Sequence, residues 1–458
     1  MKFKIFISVI LISFLAGCNL LDIDPYSSIP AEDVFKTKKG LNSALIGVYD
    51  VLQSGSISQD ATIYADLAAD NLIHIGSKKE YGQVSDNQIL TDNNYISGLW
   101  NSCYDGINRA NNIFANIDLV SGVTENEKKN ILGQCYFLRA YFYFNLVKFF
   151  GAVPLRTSPT IKAEPQNLNI TRTPESEIYG FIISDLKKSE ENLAGTGIGN
   201  ASFVNEGATK AFLARVYLYT KDWINADLKA QEVIAMPYIL ENSNFKNIFD
   251  ESTTNPEIIF QIDFKNDQTA VNGTADWTLS KTAGGRFEVA AWENTLKTSS
   301  IADKYLSSDL RKNTTIANDG SDFYTVKYTD FATDKDNIIV FRLAEMYLIR
   351  AEALNEIAYT SSGNAFNFLN TIRTRAGLST LNSTTVTNQE DFRLAIENER
   401  RLEFAFEGHR FFDLKRTGRI NQVLPNLGNL KAANWLFPIP QSEIDSNNDP
   451  GMVQNVPY

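Results

Sequence analysis

Residues 397–418 read ENERRLEFAFEGHRFFDLKRTG. Eight polar groups crowd into fifteen positions: Glu399, Arg400, Arg401, Glu403, Glu407, His409, Arg410 and Asp413. Between them stand Leu402, Phe404, Phe406, Phe411, Phe412 and Leu414, the content of a core helix. The spacing of Glu399, Glu403 and Glu407 puts them in one row on an exposed helical face, where alone they would repel. Arg400 and Arg410 lie within three positions of that row. Arginines also stand beside apolar residues elsewhere (Arg139, Arg215, Arg342, Arg350), and Glu345 and Glu352 supply further carboxylates. The economical arrangement is a set of interhelical ion pairs and helix caps, with Glu399, Arg400, Glu403, Glu407, Arg410 and Asp413 as a structural motif. The alternative is acid–base work on a glycosidic bond, which needs two carboxyls about 5–9.5 Å apart across a cleft. A helix face that interleaves acids with arginines does not build that cleft.

Outward from this stretch the chain reads as helices. FRLAEMYLIRAEALNEIAYTSSGNAFNFLNTIRTRAGL at 341–378 and NEGATKAFLARVYLYTKDWINADLKAQEVIAM at 205–236 share one plan. Each is two helices with small alanines where the partners meet, similar to a tetratricopeptide pair. NEKKNILGQCYFLRAYFYFNLVKFFG is apolar nearly all round in its middle and belongs deep in the domain, ended by Gly151 and Pro154. Leu41, Leu45, Val48 and Leu52 mark an earlier helix, and Trp100, Tyr104, Ile107, Ala110, Ile113 and Ile117 another. Thr173 and Pro174 predict a helix start, and residues 68–94 read as turn-rich. Between the paired helices, residues 237–336 change to Asn, Asp, Thr, Ser and Gly, with strand-like runs at 257–264 and 322–330. The fold expected is all-α dominated, a tetratricopeptide-like scaffold (37–236 and 337–418) overlaid by a loop-rich insert (237–336) with a few short strands. Residues 419–458 form an irregular end to this single domain, 37–458.

The N-terminus places the chain. MKFKIFISVILISFLAGC has Lys2 and Lys4, an apolar run, then Leu15-Ala16-Gly17-Cys18. This is a secretory signal over 1–17 ending in a lipoprotein cleavage box, with Cys18 the acylated residue and 18–36 a lipidated tether. Two or more acyl chains anchor a protein where one binds only marginally. Removing 1–17 takes two lysines, and the net charge of −11 becomes −13. An acidic surface argues against nucleic acid, whose phosphates demand cations. Three cysteines, one of them Cys18, are no disulfide scaffold. Cys103 and Cys135 either pair or remain buried thiols.

Catalytic constellations are missing: there is no GxSxG, no HExxH and no glycine-rich loop followed by lysine. With only His74 and His409, a histidine-rich metal centre is excluded. The oxygen-rich runs SDNQILTDNN and IDSNND lack EF-hand spacing. No cofactor is expected, with a structural calcium left open. Aromatic residues in polar, irregular segments are the functional lead, because flat rings stack on sugars or peptides at small entropic cost. The candidate ligand residues are Trp277 and Trp292, with Arg286, Tyr81, His74 and Tyr324, on a face built from the loop after Asp70-Asn71 and residues 265–330 of the insert.

Together these features resemble the RagB/SusD family. The resemblance rests on the lipobox; Asp70-Asn71; WNSCYDGINRANNIFANI at 100–117; ATKAFLARVYLY at 208–219; FRLAEMYLIRAEALNE at 341–356; IRTRAGL at 372–378; ERRLEFAFEGHRFFDLKRTG at 399–418; and PIPQSEIDSN with QNVPY near the end. It implies a surface lipoprotein of the outer membrane, facing outward, that captures oligosaccharides and hands them to a SusC-like TonB-dependent transporter, with no enzymatic step. It also implies that 399–418 is structural core and that ligand residues sit in variable loops. Peptide capture by the same machinery, and a scaffold or adhesion role, remain alternatives.

Overall fold

Helix α5 is central to the fold, and the others are α1 (Lys38–Leu52), α2 (Ala61–Leu67), α3 (Lys79–Ser85) and α4 (Asn94–Asn116) before it; α5 itself is Glu125–Phe150. The computed structural model describes residues 34–160, 169–250, 255–265, 287–289, 300–320, 322–330, 332–333, 335–425 and 435–458. Thr124 starts α5 with a capping box: Glu127 N donates to its hydroxyl (3.3 Å) and its own N donates to the Glu127 carboxylate (3.0 Å). Gly151, at φ 71°, ends it. Phe137, Leu138, Phe142, Phe144, Leu146, Val147, Phe149 and Phe150 are all buried. Each such side chain contributes about 1.5–3 kcal/mol by leaving water, which makes α5 the main apolar support. Helix α4 crosses it at Gly106, where a Cβ would come within 2.2 Å of the Phe142 ring. Only glycine allows that approach.

From α5 the helices stack in chain order: α6 (Glu175–Asn192), α7 (Glu206–Tyr219), α8 (Trp223–Ile234), α9 (Leu343–Ile357) and α10 (Asn364–Arg375), each against the one before. The pairs α7/α8 and α9/α10 are the two expected from sequence, and buried Ala226, Ala230, Ala344, Ala351 and Ala353 pack within them. Helix α11 (Gln389–Glu403) lies on α9, and α12 (Arg410–Arg416) on α2. The all-α, tetratricopeptide-like fold is therefore the observed one.

Three short two-stranded sheets tie the remainder to this scaffold. Strand β1 (Leu72–His74) pairs antiparallel with β3 (Phe287–Val289); β2 (Ile258–Ile262) with β6 (Ile338–Arg342); and β4 (Ile316–Asn318) with β5 (Phe323–Thr325). Some local expectations fail. Phe341 and Arg342 belong to β6, and α9 begins only at Leu343. Residues 68–94, read as turns, hold β1 and α3. Thr173 is not a cap: its backbone pairs with Val153, and Pro174 precedes α6. Cys103 and Cys135 are buried free thiols.

The irregular C-terminus has a specific task at the end of α5. The last carbonyls of a helix lack intrahelical partners. Asn455 Nδ2 donates to the Phe150 carbonyl (3.0 Å) and to that of Phe437 (2.8 Å), and Phe437 N donates to Phe149 O (2.8 Å). No helix among the described residues is long and apolar enough to cross a membrane.

Candidate functional site

The stretch 397–418 is a joint between α11 and α12. Helix α11 ends at Glu403, and the chain turns through Phe406 (φ 63°) and Gly408 (φ 80°) before α12. The expected glutamate row is thus corrected on two points. Glu407 stands beyond the helix end, and the acids are buried: Glu399 and Glu403 are 0% exposed. Cations from distant segments neutralise them. Arg311 Nη1 donates to Glu399 (2.7 Å) and Glu403 (2.9 Å), and Arg373 to Glu399 (3.0 Å). Arg342 reaches Glu407 (2.8 Å), Glu257 (3.0 Å) and Glu403, while Arg375 joins Glu257 (2.9 Å) and Glu403. Lys327 pairs with Glu407, and Asp309 with Arg311. Burial pushes the Glu403 carboxyl up, but the Arg375, Arg342 and Arg311 guanidiniums outweigh it and hold it well below the usual carboxylate range. The same contest lowers Glu407, through Arg342 and Lys327.

The other side of the joint grips the N-terminal segment. Asp70 accepts two bonds from Arg410 (2.6 and 3.1 Å) and pairs with Arg401 (3.0 Å), while Asn71 accepts from Arg401 Nε (3.0 Å). Burial raises the Asp70 pKa, yet these two guanidiniums bring it down to about 2. Arg400 and Arg416 both bond Asp413, at 2.8 and 2.9 Å, and Arg416 also holds Glu352. His409 is buried against Phe404, and burial together with Arg215 and Arg400 keeps it neutral. Each of these carboxylates carries a guanidinium partner, the arrangement of a structural ion-pair network. Sequence reading missed the partners from the insert, Glu257, Asp309, Arg311 and Lys327, because nothing local ties them to residue 403.

The aromatic residues gather elsewhere. The β1–β3 register sets His74 opposite Phe287 and so joins the segment after Asp70-Asn71 to the insert, with the β4–β5 hairpin that bears Tyr324 packed beside β3. Tyr81 has ring neighbours at Tyr95 (5.0 Å), Phe287 (5.1 Å) and His74 (5.7 Å). Lys78 Nζ lies 5.7 Å from the Tyr81 and Tyr95 ring centroids. Three of the expected ligand residues, His74, Tyr81 and Tyr324, therefore belong to one region of the fold. Tyr81, however, is 2% exposed and donates its hydroxyl to Asp60 (2.7 Å), so its ring props the face from beneath. Half-buried Tyr95 is the more open ring. Its signal was an aromatic residue in the first turn of α4, just after the capping Asn93. Trp277, Arg286 and Trp292 lie outside the described residues. A separate cleft of about 600 Å³ is lined by Asn200, Ser202, Tyr238, Asn255 and Gln261, among others.

Among the described residues no three His, Cys, Asp or Glu side chains gather as a metal site. In the two oxygen-rich runs, Asn93 accepts from Tyr95 N and Ile96 N as the cap of α4, and Asp449 accepts from Gly451 N.

Two family profiles match this chain: one described as the SusD family, over residues 291–458, and one described as starch-binding associating with outer membrane, over 19–218. SusD-like protein P2 of Formosa agariphila is 29% identical, over 98% of this chain and 99% of that protein. A solved laminarin binding SusD-like protein is 25% identical and superposes with a TM-score of 0.77, over 92% of this chain and all of the other. Surface glycan-binding protein A of Bacteroides thetaiotaomicron, solved with laminarihexaose, has a TM-score of 0.75 at 24% identity, over 92% and 99% of the two chains, and shares the fold.

Proposed function

This chain belongs to the SusD/RagB family, and from that premise we propose that it is a lipid-anchored outer-membrane protein that captures oligosaccharides on its outer side and passes them to a SusC-like TonB-dependent transporter. The observation that carries this reading is the β1–β3 pairing, which assembles aromatic residues from two distant segments into one face. A solved relative described as laminarin binding supports saccharide as the ligand class. Rings stacked on sugar faces make a contact that can be released again, as delivery to a transporter requires. Trp277, Trp292 and Arg286, in the insert sequence that also carries β3, are the leading contacts, with His74 and Tyr324 as further ones. The buried charge joint has a different part: it holds the segments that bear this face in fixed relation.

Binding at the micromolar level, on the order of −8 kcal/mol, suits capture before transport. Calorimetry of the parent protein with soluble glycans and peptides tests this. Trp277→Ala and Trp292→Ala should each weaken glycan binding about tenfold, or about 1.4 kcal/mol, with circular dichroism unchanged. If both folded variants bind the preferred glycan as tightly as the parent, the face is misplaced; a preference for peptides would replace the ligand class.

Anchoring makes its own prediction from Leu15-Ala16-Gly17-Cys18. Cys18→Ala should leave the precursor unprocessed or shed it from the membrane fraction. Mass spectrometry of the parent's mature N-terminus should find an acylated Cys18; cleavage elsewhere without lipid would refute the anchor.

A further inference from the structure

Helices α9, α11 and α12 and the turn between α7 and α8 line a cleft of about 370 Å³, within the ~300–1,000 Å³ range of small-ligand pockets. None of its lining residues belongs to the aromatic face. Two are polar side chains only 1% exposed. Arg400 gives Nε to Asp413 (2.8 Å), and its Nη2 meets His409 Nδ1 (3.5 Å); Nη1 has no partner among the described residues. Asn355 gives Nδ2 to Glu356 (3.2 Å) and to the Gln389 carbonyl (3.3 Å); Oδ1 likewise has none. A buried polar atom left without a partner is costly, and a bound group that supplied an acceptor to one and a donor to the other would recover that cost.

The chemistry of the lining narrows that group. Most of the other charges answer one another: Arg416 pairs with Glu352 and Asp413, Arg419 with Glu397, and Arg393 with Glu356 and Glu390, while exposed Lys221 stands in the lining without an ion pair among the described residues. The lining holds five cations (Lys221, Arg393, Arg400, Arg416 and Arg419) and five carboxylates (Glu352, Glu356, Glu390, Glu397 and Asp413), so it offers no net charge to an ion and suits a neutral hydroxylated ligand. Hydroxyl groups both donate and accept, and so serve Arg400 Nη1 and Asn355 Oδ1 alike. Half-buried Trp223 lines the same cleft and supplies an indole for the apolar face of a pyranose. We propose that the cleft lined by Arg400, Asn355 and Trp223 is a second saccharide site, taking a neutral mono- or disaccharide unit. It rests on the reading above only for the choice of ligand class.

Fluorine NMR of the full-length protein labelled with 5-fluorotryptophan tests both sites separately, since the chain has five tryptophans. Trp223→Phe assigns the Trp223 signal. Titration with glucose, cellobiose and laminaribiose should shift that signal saturably with at least one sugar. Asn355→Ala should raise the midpoint about tenfold. Leu394→Arg, at the 40% exposed rim residue, should do the same without touching either buried side chain. A Trp223 signal that no sugar moves, or a shift that survives both variants unweakened, overturns the proposal and leaves the cleft to water. Signals from Trp277 and Trp292 report the aromatic face independently, so failure of one site is not failure of the other.

Discussion

Glu403→Gln should destabilise the fold by about 3–5 kcal/mol, the range for breaking a buried ion pair by removing one partner. The substitution keeps the shape and removes the charge. Arg311, Arg342 and Arg375 all converge on this carboxylate, so its loss leaves three buried guanidiniums short of an anion at once. Glu257 and Glu399 share some of that charge and keep the loss from being larger. The pH dependence follows from the depressed pKa of Glu403. Its stabilisation is fully present above the unfolded glutamate pKa of about 4.3 and is lost as pH falls towards the folded value. The deficit of the variant should therefore be full at pH 7 and shrink under acid. Urea unfolding at pH 7 and in acid measures both. A variant as stable as its parent but unable to bind glycan would instead make Glu403 a site residue.

How far this joint could be read in advance depends on the range of its contacts. Periodicity carries α5, α7/α8 and α9/α10, because a helix face repeats within a few residues and alanines mark the close approaches. The same four-residue spacing misled at Glu407: a row that looks continuous is broken where Phe406 and Gly408 take positive φ, and Gly408 was the visible warning. The pairing of Glu403 with Arg311, 92 residues away, has no local trace, so the insert reads as loops although buried charges fasten it. Three-residue β1 is too short to show a period, and its partner β3 lies more than two hundred residues on. The aromatic face is a product of that pairing. Composition could nominate rings for it but could not tell supporting Tyr81 from more open Tyr95, since exposure is decided by what packs above each ring.

Beneath that face the sign of the electrostatics reverses, and Asp60→Asn should stabilise the protein at neutral and alkaline pH. Asp60 is 7% exposed, and burial raises its pKa to about 7; the Tyr81 hydroxyl and Lys78 offset only part of the cost of losing water. With the folded pKa raised above the unfolded one, the favourable contribution of the neutral carboxyl is present below the unfolded aspartate pKa of about 3.9. It is lost as pH climbs to about 7, where the folded protein finally ionises. The difference of about three pKa units corresponds to about 4 kcal/mol. Asparagine keeps a carbonyl oxygen for the Tyr81 hydroxyl, so the prop under the aromatic face survives while the cost of the charge is removed. In urea unfolding from pH 4 to pH 8, the advantage of the variant should be small at pH 4, grow to about 4 kcal/mol near pH 7 and then level off. Subtracting the parent at each pH cancels Asp66, which burial raises to about 6 in both proteins. A difference that stays constant across the range would mean that Asp60 is already ionised in the fold at low pH. Tyr81 would then donate to a carboxylate throughout, and the burial around this pair would not set its charge.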